Sequence, residues 1–531
     1  MLNHTLILML IPFQCLFAND GFATAIRDLI GNLIDSSDDE EEVFVSETEH
    51  SITLSDGSSL EYTALTGVLP QFYQEKKVGE IFFTAYLKET EEASRPVTFV
   101  FGGGPGGSSI SMHIGGMGPR RLLLPEEGQK SLPPYKMIDN AQTLLAQSDL
   151  VFIDPMGTGY SRADKEWYKN LCYGVEGDLN SFVEFIRIFC IHFNKWNNPK
   201  YLMGSSYGTA RACGLAERLS WDGIHLNGIM MLGCVLDFST VYGDRDQALS
   251  DCLLIPSLAA TAWYYGRTIG DKGDNTLEEV VEYSRRFIAE ESAPILFQPS
   301  RLDAFQQKEY FQELADLIGL PLDTVRRYGG RMNESIYTRE FLAAERKVIG
   351  GLDSRFSGDI SSISGFPPED PSYRNFRPAI YPAYMNYLQK DLDLQMKSLS
   401  YNTFSHEAFD FWDWRTYDTF GLPNFLQRLR RTLISNPSMK VFIGSGYYDL
   451  RTPFSAAEYS MSHLDLPDSY RDNFQLEYYE AGHALIFDRP SLVKFTEDIR
   501  KFYGIEAISE EEGDEDFLAS FKPFGDDSLE E

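Results

Sequence analysis

Two apolar patterns alternate along this chain. Short, mostly apolar runs occur at 97–101, 150–153 and 229–232, as expected of strands buried on both faces. In 178–193, Leu179, Phe182, Val183, Ile186, Phe189, Cys190 and Phe193 recur at spacings of three and four. That period predicts a helix, with Asp178 as its N-cap. Residues 50–90 alternate apolar and polar positions around Asp56-Gly57 and Lys77-Val78-Gly79, predicting antiparallel strands that lead into the sheet. The rhythm stops after 232. Residues 240–430 read as helical and loop-rich, with many aromatics, and strands return at 440–444 and 476–479 before a last helix from about Ser491 to Tyr503. Strands alternating with helices predict an α/β fold: a mostly parallel central sheet, helices on both faces, and 240–430 as a helical cap insertion.

The bulk properties narrow the possible functions. The chain has 531 residues, 43% of them hydrophobic, enough for one large domain with an insertion or for two domains. Its net charge of −32 argues against a nucleic-acid partner, because phosphate backbones would be repelled. Part of that charge lies in two acidic runs, 35–42 and 509–516, expected to be solvated edges of the folded body. The apolar stretch 5–11 is too short for a comfortable membrane span and fits the h-region of a signal peptide, with Ala23-Thr24-Ala25 as a cleavage site. The expected division is 1–25 signal peptide, 26–49 acidic flexible segment, 50–239 and 431–505 core, 240–430 cap insertion, and 506–531 acidic tail. An exported location, periplasmic or secreted, follows, with no stable membrane span. Of six cysteines, Cys15 would leave with the leader. Cys172, Cys190, Cys213, Cys234 and Cys252 define no disulfide framework and no metal spacing, although one or two disulfides remain open.

The chemistry concentrates in Gly204-Ser205-Ser206-Tyr207-Gly208. A strand end at 200–203 precedes it and a helical stretch, 209–219, follows. Strand, tight G-x-S-x-G turn and helix make a nucleophile elbow, which lifts the Ser206 hydroxyl above the sheet edge. Serine needs an adjacent base, and the base a carboxylate to orient it. Asp449 follows the strand ending at Gly444, and His483 follows the strand ending at Tyr479, in the order serine, acid, histidine. Acyl transfer also needs donors for a developing oxyanion. The Tyr207 N–H is one candidate, and the glycine-rich loop 102–107 supplies the other. That loop lacks the lysine of a phosphate-binding loop. His113 and His192 fit structural roles.

As an ordered set these segments resemble the serine carboxypeptidase family, especially its bacterial members, from about residue 50 to 505. The resemblance rests on Gly103-Gly104-Pro105-Gly106 with Ser108-Ser109, on Asp154-Pro155-Met156-Gly157-Thr158-Gly159-Tyr160-Ser161, on the Ser206 elbow and on Gly482-His483, with Gly118-Pro119-Arg120-Arg121 and Tyr447-Tyr448-Asp449-Leu450 in support. It implies an α/β-hydrolase fold, a Ser206–Asp449–His483 triad, an oxyanion hole from the N–H groups of Gly104 and Tyr207, and removal of C-terminal residues from peptides. It implies no metal or organic cofactor.

Two positions depart from the family. An Asn usually precedes Gly-Gly-Pro-Gly and a Glu usually precedes the nucleophile, and together they bind the substrate's terminal carboxylate. Here Gly102 and Ser205 stand there, beside Gly103, at the expected substrate-binding position. Arg120, Arg121 or Arg211 would suit a replacement anchor by the forked geometry of guanidinium; surface salt bridging is the favoured alternative. The aromatics Phe409, Phe411, Trp412, Trp414, Tyr417 and Phe420 would line an apolar pocket or, as is commoner, fill the cap's core. Three functions stay open: a serine carboxypeptidase; a related serine hydrolase or acyltransferase acting on esters, amides or other peptide bonds; and a non-catalytic binding protein on the same fold. The substrate is a peptide or another acyl compound. The oligomeric state is not readable.

Overall fold

The computed structural model describes residues 45–504 except 89, 91–93, 125–131, 243–247, 270–274, 299–302, 361–369 and 397. The expected signal peptide, most of the acidic segment and the acidic tail lie outside the described residues.

Nine main strands build the central sheet. They are β1 (Val45–Thr53), β2 (Ser59–Tyr73), β3 (Lys76–Lys88), β4 (Val97–Phe101), β5 (Asp149–Ile153), β6 (Lys200–Ser205), β7 (Gly228–Leu232), β8 (Lys440–Gly446) and β9 (Phe474–Tyr479). Their order is β1-β2-β3-β5-β4-β6-β7-β8-β9, and a short strand, Arg162–Ala163, pairs with β3. The ladders from β5 to β9 are parallel, and β1, β2 and β3 extend them as an antiparallel edge. Every residue of β4, β5 and β7 is buried, which is why these runs are almost wholly apolar rather than alternating.

The strand period of two sends successive side chains to opposite layers. Phe99, Phe101, Ile229 and Met231 join a core with α1 (Val175–His192), α2 (Tyr207–Trp221), α7 (Leu426–Ser435) and α8 (Phe454–Ser462). Val100, Met230, Leu232 and Phe442 join a core on the other side, with α6 (Arg377–Lys390) and α9 (Arg489–Phe502). Helices therefore cover both faces. Between β7 and β8, α3 (Ala248–Tyr264), α4 (Leu277–Phe287) and α5 (Ala304–Ile318) supply most of a third core, which Leu450 also joins.

Several local expectations are corrected. Residues 45–49 are not part of a flexible acidic segment, because β1 pairs them with 63–67. The β2–β3 hairpin turns at Gln74 and Glu75, both at positive φ, and not at 77–79. Gly79 instead lets the strand at 162–163 close in, since a Cβ there would stand 2.7 Å from the Arg162 carbonyl oxygen. The helix expected from Asp178 starts at Val175 with Gly174 as its cap. Core helix α7 begins at Leu426, before the expected boundary of 431. The five described cysteines are free and buried, so the disulfide option closes for them. The aromatic group divides: Trp412 is buried and packs edge-on against Tyr207, whereas Phe411 and Phe420 are 76% and 98% exposed.

Asp178 and Arg211 explain each other. Both are buried, and Arg211 Nε and Nη2 reach the Asp178 carboxylate at 2.6 and 3.2 Å. The guanidinium also lies over the rings of Phe101, Phe182 and Tyr207. Arg211 is thus neither a surface salt bridge nor free to bind a carboxylate. Removing one partner of a buried pair strands the other charge. Arg211→Met is expected to lower stability by about 3–5 kcal/mol in urea unfolding, and adding Asp178→Leu should recover much of the loss. An Arg211→Met variant as stable as the wild type would show that the pair contributes nothing.

Candidate active site

Ser206 joins β6 to α2 with a left-handed backbone, φ 59° and ψ −128°. Such a conformation costs a non-glycine residue about 1–3 kcal/mol and holds only where neighbours enforce it. A Cβ at Gly204 would stand 2.1 Å from the Gly208 carbonyl oxygen, and one at Gly208 2.8 Å from the Gly102 oxygen. The Ser206 N–H donates to Leu232 O at 2.9 Å, tying the turn to the end of β7.

The glycine-rich loop leaves β4 and passes against this turn. A Cβ at Gly103 would lie 2.4 Å from Ser205 O, 2.7 Å from Ser206 Cβ and 2.9 Å from Tyr207 N. Glycine therefore keeps open the space in front of the serine. Tyr207 is the first residue of α2, so its N–H has no acceptor in a preceding turn. Gly104 follows at φ 116°, and the loop closes with Gly107 N–H donating to Gly103 O at 2.9 Å. The Gly102 carbonyl accepts from Arg211 Nη1 at 2.7 Å, so the pair beneath the elbow also fixes the start of this loop.

The acid and histidine loops leave β8 and β9 side by side. Tyr447 N–H donates to Tyr479 O at 2.9 Å and Tyr448 N–H to Ala481 O at 3.0 Å. Asp449 is fully buried. Its Oδ1 accepts from the N–H groups of Arg451 and Thr452 at 2.8 and 2.9 Å, and Oδ2 accepts from Thr452 Oγ1 at 2.7 Å. His483 Nδ1 lies 2.7 Å from the same Oδ2, the spacing of an N–H donating to a carboxylate. The ring also lies against Gly233, where a Cβ would be 2.8 Å from Nδ1 and Cε1. Ser206 and His483 thus converge on consecutive residues at the end of β7, Leu232 and Gly233. Among the described residues no hydrogen bond joins Ser206 Oγ to His483; catalytic hydrogen bonds often form only once substrate binds.

The expected anchor positions take their actual surroundings from the fold. Ser205 closes β6 and is partly exposed. Gly102 has no room for a side chain, since a Cβ would stand 2.4 Å from Ser108 O. Arg120 pairs with Asp139 at 3.1 Å and, like Arg121, is partly buried. His113 is buried, bonded to the hydroxyls of Tyr86 and Tyr384, and burial pushes its pKa down to about 3. That fits a structural role.

Other residues at the site carry no sequence motif of their own. Thr452 touches both Asp449 and His483, the latter at 3.0 Å, and its nearness to Asp449 in the chain is the one available hint. Glu334, from the segment between β7 and β8, pairs with Arg451 at 2.9 Å. Burial raises its pKa to about 7, with Arg451 opposing. A cavity of about 410 Å³ opens here, lined by Thr240, Tyr242, Asp251, Glu334, Leu422 and Leu450 among others. Another hollow, of about 500 Å³, lies along α5 from Phe305 to Asp316 and involves none of these residues. Beneath the glycine-rich loop, buried Asp154 accepts from Ser109 N–H and Oγ, both at 2.7 Å. Its other oxygen has no partner in bonding geometry. Burial raises its pKa to about 6, against the opposing pull of Ser109 and Tyr401.

A mostly parallel sheet with helices on both faces, an elbow after β6 and Asp449 and His483 on loops after later strands define an α/β-hydrolase. The serine carboxypeptidase family model matches residues 65–485, and the chain belongs to that family. Membership supports a hydrolase of the serine type. Among curated proteins, the chain is 30% identical over 158 residues to the pheromone-processing carboxypeptidase kex1 of Schizosaccharomyces japonicus, covering 29% of this chain and 28% of that protein. It is 28% identical over 152 residues to KEX1 of Cryptococcus gattii, covering 27% and 21%. The matched segments thus span about a quarter of those relatives. Among solved structures, VinJ is 13% identical with a TM-score of 0.34, covering 83% of this chain and 98% of its own. The proline iminopeptidase of Mycobacterium smegmatis is 11% identical with a TM-score of 0.35, covering 83% and 97%. Among the described residues no helix is long and apolar enough to cross a membrane.

Two predictions follow from this geometry. Gly102→Asn, which restores the usual family residue, should cost about 1–3 kcal/mol through overpacking and leave any preference for free-carboxylate peptides no stronger; a gain in that preference would contradict the crowding at Ser108. Asp154 concerns pH. Its folded-state pKa of about 6 lies above its ordinary value of 3.8, so the folded protein binds this proton more tightly than the unfolded chain does. The site favours folding most below about pH 4 and loses that contribution as pH rises through 6, on the order of 2–3 kcal/mol. Asp154→Asn should remove this loss, seen as a smaller difference in unfolding free energy between pH 4 and pH 7 than in the wild type.

Proposed function

We propose that the protein is a serine peptidase that removes C-terminal residues from peptides through Ser206, His483 and Asp449. The observation that carries this reading is the convergence of an enforced left-handed Ser206 and an Asp449-paired His483 on the end of β7. His483 Nε2 takes the Ser206 proton as Oγ attacks the acyl carbon. The Gly104 and Tyr207 N–H groups stabilise the oxyanion, and His483 returns the proton to the leaving amine. Water then attacks the acyl-enzyme by the same route. Asp449 holds the imidazole in the tautomer with its proton on Nδ1, and the Arg451 and Thr452 N–H groups keep that carboxylate in place.

A second reading rests on the anchor. Gly102 carries no side chain, Arg211 is engaged with Asp178 and Arg120 with Asp139, so the usual Asn is missing and two of the three candidate arginines are occupied. That favours a related serine hydrolase or acyltransferase acting on esters, amides or other peptide bonds. Buried polar groups that match a substrate discriminate strongly, and losing them relaxes specificity.

Mass spectrometry of one peptide series with free and amidated C-termini separates the readings. Loss of residues only from free-carboxylate peptides is expected for a carboxypeptidase; cleavage indifferent to the carboxylate supports the second reading. Ser206→Ala should lower turnover of any responsive substrate by at least about 10³-fold. Unchanged turnover would overturn the mechanism.

A further inference from the structure

The segment between β7 and β8 reaches back to the acid and histidine loops through one tight turn, 350–355. Gly351 O accepts the Leu450 N–H at 3.0 Å, and Ser354 N–H donates to Tyr448 O at 3.0 Å, so the turn grips the acid loop on both sides of Asp449. Leu352 O accepts the His483 N–H at 2.6 Å, and Asp353 Oδ2 accepts the Gly482 N–H at 3.1 Å. Residues 351–354 therefore hold the main chain on both sides of Asp449 and at His483 itself. The fit is close: a Cβ at Gly482 would stand 2.3 Å from Leu352 O and 2.4 Å from Asp353 Cβ.

The turn is itself anchored. Asp370 Oδ2 accepts the N–H groups of Gly351 and Leu352 at 2.9 and 3.2 Å. Ser372 Oγ accepts the Asp353 N–H at 2.9 Å, and Ser354 Oγ meets Thr261 Oγ1 of α3 at 2.6 Å. Arg355 balances the Asp353 charge with contacts of 3.0 and 2.8 Å. It also donates to Glu480 O at 2.6 Å and pairs with Asp488, the cap of α9, at 3.3 Å. Asp353 thus sits where the turn, the histidine loop and the last helix meet.

We propose that 350–355 is a strap that positions His483 on Asp449, with Asp353 as its central positioning residue. The proposal rests on the serine-hydrolase reading above. The physical reason is leverage on a loop beyond the sheet. His483 lies beyond the last hydrogen-bonded residue of β9, so the sheet alone does not fix its peptide planes. Acceptors on two consecutive N–H groups, Gly482 and His483, fix them from outside. A displacement of about 1 Å at a reacting group can cost on the order of 100-fold in rate, so anchoring of this kind affects turnover more than substrate binding.

The test uses the full chain. A fluorophosphonate reports the rate of Ser206 labelling, an activated ester reports kcat and KM, and the downfield proton resonance of His483 Nδ1–H reports the contact with Asp449. Asp353→Ala is expected to slow labelling and lower kcat by about 10- to 100-fold, leave KM within about twofold, and broaden the Nδ1–H resonance through faster exchange. Asp353→Asn keeps an oxygen acceptor for Gly482 and should rescue most of the rate. Labelling at the wild-type rate with the resonance intact in Asp353→Ala would overturn the proposal, as would a loss no larger than the loss of folded protein by circular dichroism. Should Asp353→Ala not fold, Ser372→Ala removes only the acceptor of the Asp353 N–H. It should slow labelling several-fold, and a wild-type rate there would overturn the strap. A wild type unlabelled at Ser206, with an Nδ1–H resonance that still depends on Asp353, would overturn the serine reading and leave the strap standing.

Discussion

The left-handed backbone at Ser206 is the constraint on which the rest of the site depends. A serine seldom adopts φ 59° unless its surroundings enforce it. The force comes from close backbone approach: β6 and α2 meet so tightly that Gly204 and Gly208 cannot carry a Cβ. The Ser206 N–H is fastened to β7, and the glycine-rich loop presses on the turn through Gly103. Strain at one residue is thus maintained by two strands, a helix and the glycine-rich loop, and the hydroxyl gains a fixed position.

A buried ion pair extends that order to the glycine-rich loop. Arg211 projects from α2 just past the elbow, binds Asp178 of α1, and donates to the carbonyl of Gly102. One guanidinium therefore links two helices to the loop that carries Gly103 and Gly104. Burying charge is costly unless every donor is used. Here two edges of the guanidinium are bonded and three aromatic rings surround it.

The acid and histidine depend on a longer-range support. β8 and β9 bring their loops together, but the main chain of His483 is completed by 350–355, about 130 residues earlier in the chain. The helical segment between β7 and β8 is therefore tied to the loops that carry Asp449 and His483 as well as packed near them. Glu334 and Arg451 make a second such link beside the cavity at Tyr242 and Leu422.

Much of this was legible in the sequence. Mostly apolar runs marked β4, β5 and β7 because a strand covered on both faces has no polar side to display. The glycines of the elbow and of the 102–107 loop marked backbone contacts that tolerate no side chain. The chain order of Ser206, Asp449 and His483, each just past a strand, indicated which side chains to bring together. The sequence did not reveal the hairpin at Gln74 and Glu75, since neither residue is a usual turn former at positive φ. Nor did it reveal that Arg211 is buried, because a lone arginine on an amphipathic helix has the same local pattern whether it faces water or Asp178. The strap is the extreme case. Its acceptors are main-chain carbonyls and a carboxylate with no motif, and only tertiary packing could set Leu352 and Asp353 against Gly482 and His483. Local periodicity determined the elements and the order of the reactive groups. The distances between them, on which the chemistry depends, were decided by contacts between residues far apart in the chain.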